Sequence, residues 1–218
     1  MTTREEVLQK IRDCKVIAIA RGVDKACLDL AKALFEGGIR LMEVAFDQKA
    51  PDSWERTANA IGEILEAFGG EMYVGAGTVI RQDQLELVRK AGGQFIISPD
   101  CNEEIIRRTV DLGLVSIPGA MTPTEILQAY RAGADFVKVF PAGALGASYV
   151  KAIRAPISHV PLLAVGGVNE NNLGEFLAAG AVGVGIGGNL VKKEWIRAGE
   201  FGKITEAARL VTAAAKGE

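Results

Sequence analysis

The sequence contains few of the residues on which several common kinds of site depend. Of its 218 residues only one is a histidine, His159, and only three are cysteines, Cys14, Cys27 and Cys101. One histidine makes a histidine-rich zinc site a poor candidate, and a Ser-His-Asp triad would have to use His159. Three scattered cysteines argue against a disulfide framework and against a CxxC metal site. An oxygen-ligand site for magnesium stays open, because it needs only carboxylates.

The chain also lacks a strong net charge and a long apolar segment. Its formal charge is −2, so there is no basic field to attract nucleic acid or anionic lipid. No run approaches the roughly 20 apolar residues of a membrane span, and the opening stretch MTTREEVLQKIRDC has no apolar signal-peptide core. We therefore expect a soluble, cytoplasmic protein that handles small molecules or proteins, with neither a nucleic-acid nor a membrane partner.

A repeated pattern runs through the chain, in which a helix-like stretch ends in glycine and a short apolar run follows. It occurs in residues 36–46, 90–99, 111–119, 131–141 and 178–188. Glycine supplies the left-handed residue that ends a helix, and short unbroken apolar runs are typical of strands buried on both faces of a parallel sheet. The pattern predicts eight strands: Val16–Ala20, Leu41–Phe46, Tyr73–Ala76, Phe95–Ile97, Val115–Ile117, Phe136–Phe140, Leu162–Val165 and Val182–Ile186.

Eight strand–helix units in about 200 residues favour a closed barrel over an open sheet. We predict an α/β fold, a (β/α)8 TIM barrel that forms a single domain over residues 1–218. A helix from about Arg4 to Cys14 precedes the first strand and is expected to cap the barrel floor. No Pro/Ser-rich linker interrupts the series. An open, doubly wound sheet remains the alternative, since the pattern alone does not prove closure.

Two charged residues, Lys138 and Glu43, lie inside predicted strands. A TIM barrel builds its site at the carboxyl ends of its strands. Lys138 interrupts the apolar run FVKVF, and burying it unpaired would cost several kcal/mol. Either it has a structural partner, such as Glu43 in the second strand, or its chemistry is altered. Burial lowers a lysine pKa, and the neutral amine can form a Schiff base with a carbonyl. Glu43 is then a candidate general acid/base, acting at some distance or through water.

Candidate anion-binding residues follow other strands. The glycine pairs Gly166–Gly167 and Gly187–Gly188 follow the seventh and eighth strands, where barrels commonly bind phosphate, and Asn189 comes next. Arg21 ends the first strand and Thr78 follows the third, and both could bind a carboxylate. The charged run VKKEWIR after Asn189 is interpreted as a solvated turn.

Several short motifs occur in a fixed order: EV at Glu43, VGAGTV at Thr78, FIISP, SIPG at Pro118, KVFPA at Lys138, AVGGV and GIGG. In this order the chain resembles the class I aldolases that act on 2-keto-3-deoxy-6-phosphogluconate and 4-hydroxy-2-oxoglutarate. That family includes the relative that cleaves the 6-phosphogalactonate epimer. The resemblance covers roughly residues 16–208.

The resemblance implies a role for each motif. Lys138 matches the Schiff-base lysine, and Glu43 matches the residue that moves protons, through water. Arg21 and Thr78 match positions near the substrate carboxylate. The glycine pairs match phosphate loops, with Asn189 beside them, and Pro118 and Phe140 belong to the pocket. The family implies a homotrimer of (β/α)8 barrels, no metal and no other cofactor. The expected reaction cleaves a 2-keto-3-deoxy-6-phospho sugar acid to pyruvate and glyceraldehyde 3-phosphate.

The chain departs from the family pattern at two positions. Asp47 stands where some members carry an arginine, and Asn189 where some carry a serine. The piece ARG at Arg21, with AVGGV later, leans toward the galactonate-type relatives. Cleavage of 4-hydroxy-2-oxoglutarate to pyruvate and glyoxylate is the alternative activity. A metal-dependent aldolase, a phosphosugar isomerase or epimerase, and a non-catalytic phosphosugar-binding barrel remain as rivals.

Overall fold

Nine parallel strands, eleven α-helices and a 3₁₀ helix at Pro51–Ser53 make up the computed structural model, which describes residues 2–23 and 26–217. Residues 1, 24, 25 and 218 of the predicted domain lie outside this description. The strands are β1 (Val16–Arg21), β2 (Leu41–Ala45), β3 (Tyr73–Gly77), β4 (Phe95–Ile97), β5 (Val115–Ile117), β6 (Gly119–Ala120), β7 (Val137–Val139), β8 (Leu162–Val165) and β9 (Gly183–Ile186). The helices are α1 (Arg4–Cys14), α2 (Cys27–Glu36), α3 (Trp54–Phe68), α4 (Gln82–Lys90), α5 (Glu103–Asp111), α6 (Pro123–Arg131), α7 (Ala142–Leu145), α8 (Ala147–Arg154), α9 (Leu173–Ala178), α10 (Lys193–Arg197) and α11 (Phe201–Lys216).

The strands close into a ring at Pro118. Their hydrogen-bonded order is β5-β4-β3-β2-β1-β9-β8-β7-β6, so β5 and β6 stand at the two ends. One residue, Pro118, separates them along the chain, so the chain itself joins the two ends of the sheet. Proline has no N–H for a ladder, and β5 pairs with β4 while β6 pairs with β7. The predicted barrel is confirmed and the open sheet is wrong. The fifth predicted strand, Val115–Ile117, has the bounds of β5, and the short ninth strand, β6, was not predicted.

Helix α1 covers the floor of the barrel, as predicted. Thr3 and Glu6 form a capping box at its start, which satisfies two backbone donors. Val7 and Ile11 are each 1 % exposed and pack into the cluster of apolar side chains inside the barrel. Arg4 forms an ion pair with Asp135, which precedes β7. The floor is therefore closed by apolar packing, and substrate access has to come from the other end.

The observed strands are slightly shorter than predicted at Phe46, Phe136, Phe140 and Val182. Each of these residues still donates its N–H to a neighbouring strand, as Phe46 does to the Gly77 carbonyl at 2.9 Å. The hydrogen bonds between neighbouring strands thus extend one residue beyond the bounds of the strands. No helix in the described part of the chain is both long and apolar enough to cross a membrane.

Candidate active site

Lys138 is the central residue of β7 and is 7 % exposed. Burial lowers its pKa; the charge of Arg21 acts in the same direction, while Glu43 and Asp100 oppose it. In residues 2–23 and 26–217, no carboxylate forms an ion pair with its ammonium group. The nearest aromatic contact is Phe140, whose ring centroid lies 4.9 Å from Nζ. The amine therefore has a lowered pKa and is not held in an ion pair with an acid.

Glu43, in β2, is 3 % exposed, and within the described residues its buried Oε2 has no hydrogen-bond partner. Burial raises the pKa of this carboxyl, and the charges of Lys138 and Arg21 oppose the rise. A buried polar atom without a partner is costly and is uncommon outside functional sites. A carboxyl with a raised pKa can both take up and release a proton near neutral pH.

Gly77 leaves the space that the Glu43 carboxyl occupies. A Cβ at residue 77 would overlap Glu43 Oε1. We expect Gly77→Ala to displace the carboxyl and to lower kcat by about 10²-fold, since small misplacements of catalytic groups have effects of this size. Steady-state kinetics and thermal unfolding measure the effect. Gly174→Ala is the control, because its Cβ meets nothing within 4 Å; wild-type kinetics for Gly77→Ala would contradict this role of Gly77.

Lys138 and Glu43 open onto a cavity of about 200 Å³ at the carboxyl ends of the strands, here called the central cavity. Its lining includes every predicted catalytic, carboxylate-binding and phosphate-binding residue, together with Phe140. Pro118 does not line it; its carbonyl accepts the Lys138 backbone N–H at 2.8 Å. The lining residues are Ile19, Arg21, Glu43, Thr78, Pro99, Lys138, Phe140, Val165, Gly166, Gly167, Val168, Gly185, Gly187, Gly188 and Asn189.

The two glycine pairs present free backbone donors to the central cavity. Among the described residues, the N–H groups of Gly166, Gly167, Gly187 and Gly188 donate to no acceptor. Gly166 and Gly167 have φ values of 88° and 77°, which favour glycine. Asn189 Nδ2 donates to the Val168 carbonyl at 3.3 Å, so its side chain ties the two glycine loops together. Unpaired N–H groups at a cavity are donors available to an anion.

Arg21 and Thr78 flank the end of β2. Arg21 is in register with Ala45, and Ala45 with Gly77, the residue before Thr78. Thr78 is half-buried with a φ of 57°, and in the part of the chain described, its N–H and its hydroxyl have no partner. Asp47 is exposed and accepts the Lys49 N–H at 2.9 Å. It does not line the central cavity.

Sequence reasoning missed two lysines beside the central cavity. A second cavity of about 440 Å³, here called the rim cavity, shares Arg21, Gly187 and Gly188 with the first and adds Lys192 and Lys193. These lysines belong to the run interpreted as a solvated turn. Lys193 is exposed, as expected, but it begins helix α10. The predicted barrel already placed the last strand beside the first, as observed, but the interpretation of the run as a solvated turn left these lysines out of the site.

Among the described residues, no group of three His, Cys, Asp or Glu side chains is close enough to hold a metal ion. The site is thus built from one buried amine, one buried carboxyl and a set of neutral and positively charged groups that can bind an anion. The protein therefore belongs to the class of (β/α)8 barrels that carry a lysine–glutamate site at the carboxyl ends of the strands.

Comparison with known proteins agrees with this class. The family described as "Aldolase: KDPG and KHG aldolase" matches residues 5–207. The chain belongs to this family and is an aldolase, an enzyme of the aldehyde-lyase type. The resemblance inferred from the sequence motifs is confirmed.

Three relatives illustrate the similarity. The chain is 36 % identical to a 2-dehydro-3-deoxy-6-phosphogalactonate aldolase of Escherichia coli K12, with 81 % of this chain and 84 % of the relative covered. It is 34 % identical to a 2-dehydro-3-deoxy-phosphogluconate aldolase of Treponema pallidum, with 94 % of each covered. A solved structure of KDPG aldolase from Legionella pneumophila, with pyruvate captured as a covalent carbinolamine, is 29 % identical. It has a TM-score of 0.82, with 96 % of this chain and 98 % of that chain covered.

Proposed function

We propose that this protein cleaves a 2-keto-3-deoxy-6-phospho sugar acid to pyruvate and glyceraldehyde 3-phosphate through a Schiff base on Lys138. The observation that carries the proposal is the buried Lys138 amine, which has no ion pair in the described residues and shares the central cavity with Glu43. The E. coli relative named for the phosphogalactonate and the Legionella pneumophila structure with covalent pyruvate support it.

The reaction begins with attack of the neutral Lys138 amine on the C2 ketone. Loss of water leaves a protonated imine, which draws electrons from the neighbouring bond. Glu43, through a water, takes the proton of the C4 hydroxyl. The C3–C4 bond breaks, its electron pair forms an enamine, and the aldehyde leaves. Protonation of the enamine at C3 and hydrolysis of the imine release pyruvate and restore Lys138.

The two ends of the substrate would bind to different parts of the wall of the central cavity. Thr78, through its free N–H and hydroxyl, and Arg21, through its charge, would hold the carboxylate at the end of β2. The glycine pairs and Asn189 would hold the phosphate with the unpaired N–H groups described above. This arrangement fixes C2 near the amine and so reduces the entropic barrier to attack.

The positive charge of Lys193 supports a phosphate at the second glycine pair. We expect Lys193→Gln to raise KM for glyceraldehyde 3-phosphate, in condensation with pyruvate, by about threefold, the scale of an exposed charge interaction. KM for uncharged glyceraldehyde should not change, and added salt should weaken the difference. Lys203→Gln is the control, since Lys203 pairs with Glu200 and lines neither cavity. Equal effects on both aldehydes would count against a phosphate contact.

A coupled assay of pyruvate release tests the substrate directly. The 6-phosphogluconate-derived and 6-phosphogalactonate-derived keto acids and 4-hydroxy-2-oxoglutarate are compared under the same conditions. We expect a phosphorylated epimer to have the highest kcat/KM. A higher value for 4-hydroxy-2-oxoglutarate would replace the proposed substrate with the alternative one, and no pyruvate from any of the three would overturn the proposal.

Assembly and location belong to the same proposal. We propose a cytoplasmic homotrimer that works without a metal or other cofactor, because the imine itself supplies the electron sink. The exposed apolar side chains of Met121, Tyr130 and Leu210 are available for contacts between subunits. Sedimentation equilibrium should give three times the mass of one chain.

A further inference from the structure

A closed set of side-chain hydrogen bonds surrounds the turn at Thr78, here called the amide ring. The Ile80 N–H donates to Gln84 Oε1 at 3.0 Å, and Gln84 Nε2 donates to Gln48 Oε1 at 3.0 Å. Gln48 Nε2 then donates to the Thr78 carbonyl at 2.7 Å. The ring begins and ends on residues of the same turn. Gln84 is fully buried, with 0 % exposure.

The polarity of the amide ring is set at both ends by the backbone. Ile80 can only donate through its N–H, so Gln84 must face it with oxygen and must present its NH₂ to Gln48. The Thr78 carbonyl can only accept, so Gln48 must face it with NH₂. Both amide orientations therefore follow from the backbone donor and acceptor at the two ends of the ring. Ser98 adds a further bond from Oγ to the Val79 carbonyl at 2.6 Å.

Thr78 needs such support, because its φ of 57° lies in a region that β-branched residues rarely adopt. In this conformation, as far as the chain is described, its N–H and hydroxyl are without partners at the wall of the central cavity. Neither glutamine lines that cavity, so neither would touch the substrate.

We propose that Gln84 and Gln48 are positioning residues, which hold Thr78 in the conformation that receives the substrate carboxylate. The inference rests on the proposed function in one respect, namely that Thr78 binds the carboxylate. It extends that function to side chains behind the wall of the site. The motif around Thr78 contains neither glutamine, and they lie 36 residues apart along the chain.

Gln84→Met tests the proposal, since methionine has a similar length and no hydrogen-bonding amide. We expect KM for pyruvate, in condensation with glyceraldehyde 3-phosphate, to rise about tenfold, the scale of a lost hydrogen bond to a charged group. KM for the aldehyde should stay unchanged. Gln48→Met, at a half-buried position, should give the same rise, and the double variant no more, because either change opens the same ring.

Gln94→Met is the matched control. Its Oε1 accepts the Val74 N–H at 2.9 Å, so the substitution also removes a side-chain acceptor from a backbone donor, without touching the Thr78 turn. We expect a similar fall in melting temperature with wild-type KM. If Gln94→Met raises KM for pyruvate as much as Gln84→Met does, the glutamines have only a structural role and the proposal is overturned.

Thr78→Ala separates this proposal from the proposed function. When Thr78→Ala raises KM for pyruvate, Gln84→Met should add little in that background; a full additional rise, or no effect of Gln84→Met alone, overturns the positioning role. When Thr78→Ala leaves KM unchanged, the carboxylate assignment fails and the positioning role fails with it. Borohydride trapping of pyruvate on Lys138 in the wild-type enzyme tests the Schiff base independently of both results.

Discussion

Lys138→Met will lower the rate of pyruvate release by at least about 10⁴-fold, because Lys138 is the one lysine among the described residues that line the central cavity. Borohydride added with pyruvate will attach one reduced pyruvyl group to wild-type protein, on the peptide that carries Lys138. The variant will take up none. Intact-mass and peptide mass spectrometry measure both results.

The same substitution should stabilise the fold. Lys138 is 7 % exposed and has no ion pair in the described chain. Its amine therefore loses hydration on folding, which costs free energy. Methionine has no such cost, and thermal unfolding should show a higher melting temperature. Lys151→Met, at an exposed position of α8, is the control and should change neither activity nor labelling. Label on another lysine of the wild-type protein would falsify the assignment.

The lowered pKa of Lys138 predicts the direction of two pH effects. Attack requires the neutral amine, so the rate of adduct formation should rise as the pH increases through the folded pKa. The unfolded chain binds this proton more tightly than the folded chain. Its contribution to folding stability therefore rises with pH between the lowered folded pKa and the ordinary lysine value. Lys138→Met should remove this dependence.

Glu43→Gln will lower kcat by about 10²- to 10⁴-fold, the range for removal of a general acid/base. The two side chains have nearly the same shape, so the amide fits against Gly77 where the carboxyl lies. Pyruvate should still be trapped on Lys138, because the nucleophile is intact. Single-turnover cleavage and the borohydride assay together separate proton transfer from imine formation.

The raised pKa of Glu43 gives a matching test of stability. Its folded-state proton is held more tightly than in the unfolded chain. The contribution of Glu43 to folding stability is therefore fully present below the unfolded pKa, and it is lost as the pH rises through the raised folded pKa. The neutral glutamine does not titrate, so Glu43→Gln should gain stability relative to wild type as pH increases. Glu175→Gln, on the exposed surface of α9, is the control for the stability measurement.

The kinetic test has its own contradicting outcome. A kcat for Glu43→Gln within about threefold of wild type would exclude the acid/base role.

Features that depend on residues close together in the sequence were predictable. Helix α1 has the bounds Arg4–Cys14 in both the prediction and the structure. The apolar run around Lys138 indicated a buried cation, and the position of Glu43 in a strand indicated a buried acid. The barrel rule then predicted one common edge, because parallel strands end together. The central cavity brings these residues together.

Features that depend on contacts across the barrel were not predictable. The run VKKEWIR could not show that Lys193 shares a cavity with Arg21, because barrel closure places β9 beside β1 but does not say where the side chains that follow β9 lie. The break at Pro118 depends on the two different neighbours of β5 and β6. The amide ring needs Gln48 and Gln84 to meet at the Thr78 turn.

The sequence by itself determined the alternation of strands and helices and the chemical identity of the groups at the strand ends, and it favoured the closed barrel over the open sheet. Those properties follow from periodicity and residue type over a few positions. Only the tertiary structure decided that the Lys138 amine lacks an ion pair in the described chain, that a Glu43 oxygen has no partner there, and that Thr78 is held in a left-handed conformation. The physical reason is that pKa, hydrogen-bond satisfaction and backbone strain depend on groups brought close in space from distant parts of the chain.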